Sequence, residues 1–184
     1  MHRQRSLLLV FGVLLVAIVV ARQVQPPASP SQSDGPIIAG PGLVLEVLDG
    51  DTARIRLAGY EGSVRIVGID TPEIEHPGKP AGCFGYEAAA AARAWLVGRV
   101  VDVVPAREQR DHFGRLLARV VPHDGPIAGR DLARVLALSG LARSLPIAPN
   151  LDDAGPLAER VAIARRLGRG LWGACGFAAA FPGK

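Results

Sequence analysis

Residues 53–57 alternate Ala53, Ile55 and Leu57 with Arg54 and Arg56, the two-residue period of a strand with one face in a core and one in water. A β-branched run from Val64 to Ile69 follows the Gly59–Gly62 turn and breaks at Thr71-Pro72. Proline lacks the N–H a ladder needs, so a central strand cannot continue through it. Upstream, Leu43 to Leu48 forms a shorter apolar strand ended by Asp49-Gly50, a pair suited to a tight turn. Three strands within thirty residues, each too short to bury much alone, demand closure with further strands from later in the chain.

Those strands come after a change of period. Between Gly85 and Gly98, residues Ala88, Ala91, Ala92, Trp95 and Leu96 share one helical face. Residues 99–104 and 115–121 return to strand. Leu132, Val135, Leu136 and Ser139 then predict a helix stopped by Gly140. A last helix is expected from Asp152 or Asp153 to Leu167. This order predicts an α+β, mainly β domain: a five-stranded barrel of the oligonucleotide-binding type with about three helices.

The N-terminus belongs to something else. His2-Arg3-Gln4-Arg5 precedes an unbroken apolar run, Leu7 to Ala21, the form of an export signal or a retained membrane anchor. Residues 1–22 are assigned to that segment. Residues 23–42, rich in Pro, Ser, Gln and Gly, read as a tether. Residues 43–176 form the folded domain, and 177–184 a tail. The chain is expected to be secreted or extracytoplasmic, with possible membrane attachment through residues 7–21. The formal charge is +4. Removing Arg3, Arg5, Arg22 and Asp34 leaves 18 basic against 16 acidic residues, so bulk charge does not argue for a polyanion partner.

Three short pieces carry the chemistry. Asp49-Gly50-Asp51-Thr52 stands at the entry to the second strand. Arg65-Ile-Val-Gly-Ile-Asp70-Thr71-Pro-Glu73 places a guanidinium, two carboxylates and a turn within nine residues. Phe113-Gly114-Arg115 adds a second arginine beside a glycine that leaves room for a ligand. In this order the three pieces resemble the staphylococcal nuclease (thermonuclease-like) family over roughly residues 43–173. The resemblance implies the same barrel. It implies that Asp51 and Asp70 ligate Ca2+ through their side chains and Thr71 through its carbonyl, with Asp49 behind them. Glu73 would be the general base, or the group that orients the attacking water. Arg65 and Arg115 would grip the phosphate, since guanidinium forks match phosphate oxygens and stay charged. The implied activity is Ca2+-dependent hydrolysis of DNA, and of RNA, releasing 3′-phosphorylated products, by a monomer. The competing reading is a non-catalytic nucleic-acid-binding barrel at the cell envelope.

Two departures from the family pattern stand out. Gly140-Leu141-Ala142-Arg143 is followed by Ser144 to Pro149 with no aromatic, where the family places base-stacking tyrosines. Phe113 also replaces a tyrosine, keeping the ring and losing the hydroxyl. His76, His112 and His123 lack the spacing of a zinc site. Finally, Cys83 and Cys175 are the only cysteines, and a single pair behind an export segment predicts a disulfide.

Overall fold

A computed structural model describes residues 36, 37 and 39–182. The signal or anchor assigned to residues 1–22, and most of the tether at 23–42, lie outside the described residues. Among the described residues there are seven strands: β1 (Gly40–Val47), β2 (Thr52–Leu57), β3 (Tyr60–Ile66), β4 (Gly68–Asp70), β5 (Val100–Arg110), β6 (Leu116–Pro122) and β7 (Arg143–Leu145). Five helices accompany them: α1 (Gly85–Leu96), α2 (Leu132–Ser139), α3 (Ala154–Arg166), and the single turns α4 (Leu171–Ala174) and α5 (Phe177–Ala180).

Five strands close into a barrel in the order β1-β2-β3-β6-β5. All neighbours are antiparallel except β3 and β6, whose parallel pairing of Val64 with Leu116 and Ile66 with Ala118 seals the cylinder. Alternate residues of every strand face inward. Ile55, Val64, Val101, Val103, Leu116, Ala118 and Val120 are fully buried, which is the pattern their sequence period demands. Helix α1 caps one end through Ala88, Ala92 and Leu96, spaced four residues apart on one face. Helix α2 begins at Asp131, whose side chain accepts the Arg134 amide, and ends at Gly140 with φ 73°.

The expected single strand 64–69 is divided in two. At Gly68 the backbone takes φ 81°, a conformation that costs glycine little and other residues more. The chain thereby leaves the barrel, and β4 pairs antiparallel with β7, setting Asp70 opposite Arg143.

The domain is also longer at both ends than the sequence boundaries. Ile37 is buried in the core, and its amide and carbonyl both bond the Gln109 side chain. Residues 177–182 are packed rather than trailing: Ala180 and Phe181 are buried in a small cluster with Leu171. Cys83 and Cys175 form the expected disulfide. The Cys83 amide also donates to the Ala179 carbonyl at 2.8 Å, so the end of the chain is tied to the loop that precedes α1.

A Cβ at position 68 would sit 2.5 Å from Leu157 Cδ1 while also carrying the positive φ. We expect Gly68→Ala to lower stability by about 1–3 kcal/mol in urea unfolding. An unchanged midpoint would mean that the β3–β4 break is not held by this residue.

Candidate active site

Asp51 and Asp70 come from different strands and meet around one arginine. Thr52 pairs with Arg65 across β2 and β3, which puts Asp51 beside the start of the Arg65 side chain. The Arg65 guanidinium donates to the carbonyls of Ile66 and Ile69 at 2.7 and 2.9 Å, which holds it across the β3–β4 break. From there Nη1 lies 3.1 Å from Asp51 Oδ1 and Nη2 lies 3.6 Å from Asp70 Oδ1. All three side chains are largely removed from water, at 12% exposure for Arg65, 6% for Asp51 and 5% for Asp70.

Thr71 completes the surroundings of Asp51. Its amide donates to Oδ2 at 2.7 Å and its hydroxyl lies 3.1 Å from the same oxygen. Asp49 supports the site from behind, accepting the Asp51 amide at 3.0 Å. The turn between them fits because residue 50 is glycine: a Cβ there would lie 2.8 Å from both Thr71 side-chain tips and 2.9 Å from Ala88 Cβ. Burial pushes the Asp51 carboxyl up to about 7, with Arg65 pulling it down and Asp49 raising it further. This carboxyl therefore favours the folded chain at low pH, and that contribution fades as pH rises from 3.8 towards 7.

Glu73 is three residues past Asp70, half-buried, and fixed through its backbone. Its carbonyl accepts the Gly82 amide at 2.9 Å. The same oxygen would stand 2.1 Å from a Cβ on Gly85, so the start of α1 presses directly on the Glu73 peptide. The disulfide at the adjacent Cys83 anchors this loop to the chain's end.

Arg115 enters from the loop between β5 and β6. Asp111 organises that loop by accepting the Phe113 and Arg115 amides at 3.0 Å each, and it binds Arg115 Nε at 2.7 Å. Partial burial works against the Asp111 carboxylate, but these bonds outweigh it and hold its pKa below the usual value. Phe113 is 71% exposed, with the Arg115 guanidinium 5.2 Å from its ring centre. Arg65 and Arg115 line one cleft of about 380 Å³, together with Gly68, Asp111, His112 and Ile147. Glu73 lies outside the lining of that cleft.

Sequence reasoning missed Arg143 and Asp111. Arg143 Nε and Nη2 both stand 2.8 Å from Asp70 Oδ2, so Asp70 is held by two arginines from opposite sides. The Arg143 guanidinium in turn lies 4.4 Å from the Phe181 ring centre and 5.4 Å from that of Phe177. The segment expected to be a tail therefore forms one wall of the Arg143 pocket. The only signal was the position of Arg143 directly after Gly-Leu-Ala; its partner became visible only with the β4–β7 register.

No group of three or more His, Cys, Asp or Glu spaced to hold a metal occurs among the described residues. The protein-side donors are two carboxylates, with Asp49 close behind. They are hard oxygen ligands, and the burial that raises Asp51, with Asp49 and Asp70 adding to it, disfavours a charged form that a hard cation would favour. The donor chemistry thus fits such an ion, with the remaining ligands drawn from carbonyls and water.

A profile of the family described as "Staphylococcal nuclease homologue" matches residues 63–174. The thermonuclease of Staphylococcus hyicus is 29% identical over 130 residues, covering 70% of this chain and 73% of that protein. The thermonuclease of Staphylococcus intermedius is 37% identical over 109 residues, 59% of this chain and 61% of its own. A probable endonuclease LCL3 of Arthroderma otae is 29% identical over 143 residues, so the chain spans about half of that longer relative, 49%. Family profile, barrel topology and relatives agree: the chain belongs to the staphylococcal nuclease homologue family, and its kinship is with enzymes that hydrolyse phosphodiester bonds.

Proposed function

We propose that this nuclease is Ca2+-dependent, acts on DNA and RNA outside the cytoplasm, and releases 3′-phosphorylated products. One observation carries the reading. The two carboxylates suited to a hard cation converge on Arg65, and Arg65 lines the same cleft as Arg115. A scissile phosphate in that cleft would meet Arg115 directly, with Arg65 in the cleft wall and its guanidinium turned towards the two carboxylates.

Asp51 and Asp70 would hold the cation, with Thr71 contributing its carbonyl. When bound, the ion supplies Lewis-acid polarisation of the phosphate and a site for water. The chain's own residues do the rest. Arg115 and Arg65 donate to the phosphate oxygens and strengthen their hold as charge builds at phosphorus, which lowers the barrier rather than merely binding substrate. Glu73 would orient or deprotonate the attacking water, and the Gly82 and Gly85 contacts fix its backbone. Asp111 holds the Arg115 side chain ready, which reduces the ordering cost at the moment of reaction. The disulfide supports a location outside the reducing cytoplasm, in keeping with the apolar segment at residues 7–21. Attachment to a membrane by that segment is part of the same proposal.

Single-stranded DNA incubated with the purified chain should be cut with Ca2+ and left intact with excess EDTA. Equal cutting under both conditions would contradict the metal requirement. Arg115→Ala should lower kcat/KM about 10²–10³-fold, the cost of removing one preorganised donor, with little change in unfolding midpoint. A value close to wild type would remove Arg115 from the reaction.

Gly85→Ala tests the placement of Glu73. The added methyl must displace the Glu73 peptide, so kcat should fall at least about tenfold even where circular dichroism shows a folded chain. Full activity in a folded Gly85→Ala protein would show that the position of Glu73 is not critical.

A further inference from the structure

The arginines in and behind the active cleft are already answered by acids. Arg65 faces Asp51 and Asp70, Arg115 faces Asp111, and Arg143 faces Asp70. A long polyanion gains little net attraction from such a neutralised surface, because binding strength tracks the number of phosphates matched by uncompensated cations. The near balance of charge in the folded part of the chain makes the distribution of the remaining cations decisive.

Among the described residues Lys79, Arg93, Arg110, Arg130 and Arg160 also form no ion pair and lie apart in the sequence, while three such cations gather at the far end of α3. Arg165, Arg166 and Arg169 lie within five residues and are all exposed. Glu159 is the sole acid between Ala154 and Lys184. Among the described residues no carboxylate forms an ion pair with any of the three. Their contacts are with neutral groups. Arg165 sits 4.0 Å from the centre of the Trp172 ring, and Arg169 Nη1 donates to the Leu138 carbonyl at 3.1 Å. Holding Arg165 over an indole uses none of its five N–H donors, so its fork is positioned and still available. The negative end of the α3 dipole accounts for a cation or two in the last turn, but its reach ends there. Arg169 lies beyond the helix, after Gly168.

Helix α3 also points from the site towards this cluster. Its N-terminal residues Asp152, Asp153 and Ala154 line a second cleft of about 210 Å³. That cleft shares Val67, Gly68 and Asn150 with the active cleft. Thirteen helical residues then carry the chain about 20 Å to the arginines.

We propose that Arg165, Arg166 and Arg169 form an auxiliary binding patch for the phosphate backbone of a polynucleotide, engaged by strands that extend beyond the active cleft. The patch adds affinity for polymers without touching the scissile bond. The choice of nucleic acid over another polyanion rests on the nuclease reading above. The patch itself does not require the metal, so the two can be tested separately.

The experiment compares the full chain with Arg165→Gln/Arg166→Gln/Arg169→Gln. Binding of long single-stranded DNA is followed by fluorescence anisotropy in excess EDTA across a salt series, and cleavage of long DNA and of a dinucleotide is followed with Ca2+. The triple variant should bind long DNA at least about tenfold more weakly at low salt, and its log K against log[salt] slope should shrink by about two. KM for long DNA should rise with kcat unchanged, and dinucleotide cleavage should match wild type. Equal DNA affinity and slope in both proteins would overturn the proposal. So would an equal loss on the dinucleotide, which would mean that the active cleft itself was disturbed. A third arm uses vesicles of phosphatidylglycerol: weakened vesicle binding with undiminished DNA binding would assign the patch to a membrane surface and overturn the proposal as stated. Wild type that cuts nothing with Ca2+ but shows the patch-dependent DNA binding would defeat the catalytic reading and uphold the patch.

Discussion

Two carboxylates buried near one another repel, and Asp51 and Asp70 are held by cations: the Arg65 guanidinium reaches both, and Arg143 pairs with Asp70 as well. Breaking such a group by removing one partner commonly costs about 3–5 kcal/mol, because the remaining charge is stranded away from water. Every element near the site serves this junction. The β2–β3 register sets Thr52 against Arg65, and the carbonyls of Ile66 and Ile69 turn the guanidinium inward. The β3–β4 break at Gly68 redirects the chain so that Asp70 arrives beside it. One arginine still does not satisfy Asp51, whose carboxyl remains pushed up to about 7 by burial. A bound cation would favour the charged form that burial disfavours.

The outer layer holds that junction in place from the far side of Asp70. Arg143 binds the oxygen that Arg65 does not, and Phe181 backs Arg143. Phe181 is carried by a segment fixed at Cys175 and by the Ala179 carbonyl, both bonded to Cys83. Cys83 belongs to the loop that also pins Glu73. The C-terminal residues and the loop after Thr71-Pro72 therefore form one closed circuit of contacts, and the disulfide is placed where it closes it.

Most of the barrel was legible because its strands are short, alternate strictly and are separated by turn residues. Ile55, Val64, Val101 and Leu116 are buried as their period requires. Strand β7 was not legible: three residues, Arg143 to Leu145, carry no period, and their pairing with β4 depends on a chain break set by a single φ at Gly68. The Arg143–Asp70 contact spans 73 residues and followed from no local pattern. The tail was misread because Phe177-Ala-Ala-Ala-Phe181 looks uninformative until the disulfide folds it onto the domain. Asp51, Asp70 and Arg65 were named from their motif and do lie together, but the motif did not reveal that Arg65 faces the carboxylates, which is a consequence of its bonds to the carbonyls of Ile66 in β3 and Ile69 in β4.

The central proposal is that Asp51 and Asp70 act as one unit that holds a divalent cation. Isothermal titration of Ca2+ into the wild-type chain, Asp51→Asn and Asp70→Asn tests it most directly, alongside thermal unfolding to verify that each variant is folded. The account predicts a single site in the wild type and loss of at least about tenfold in affinity in each folded variant. Undiminished Ca2+ binding in both variants would contradict it.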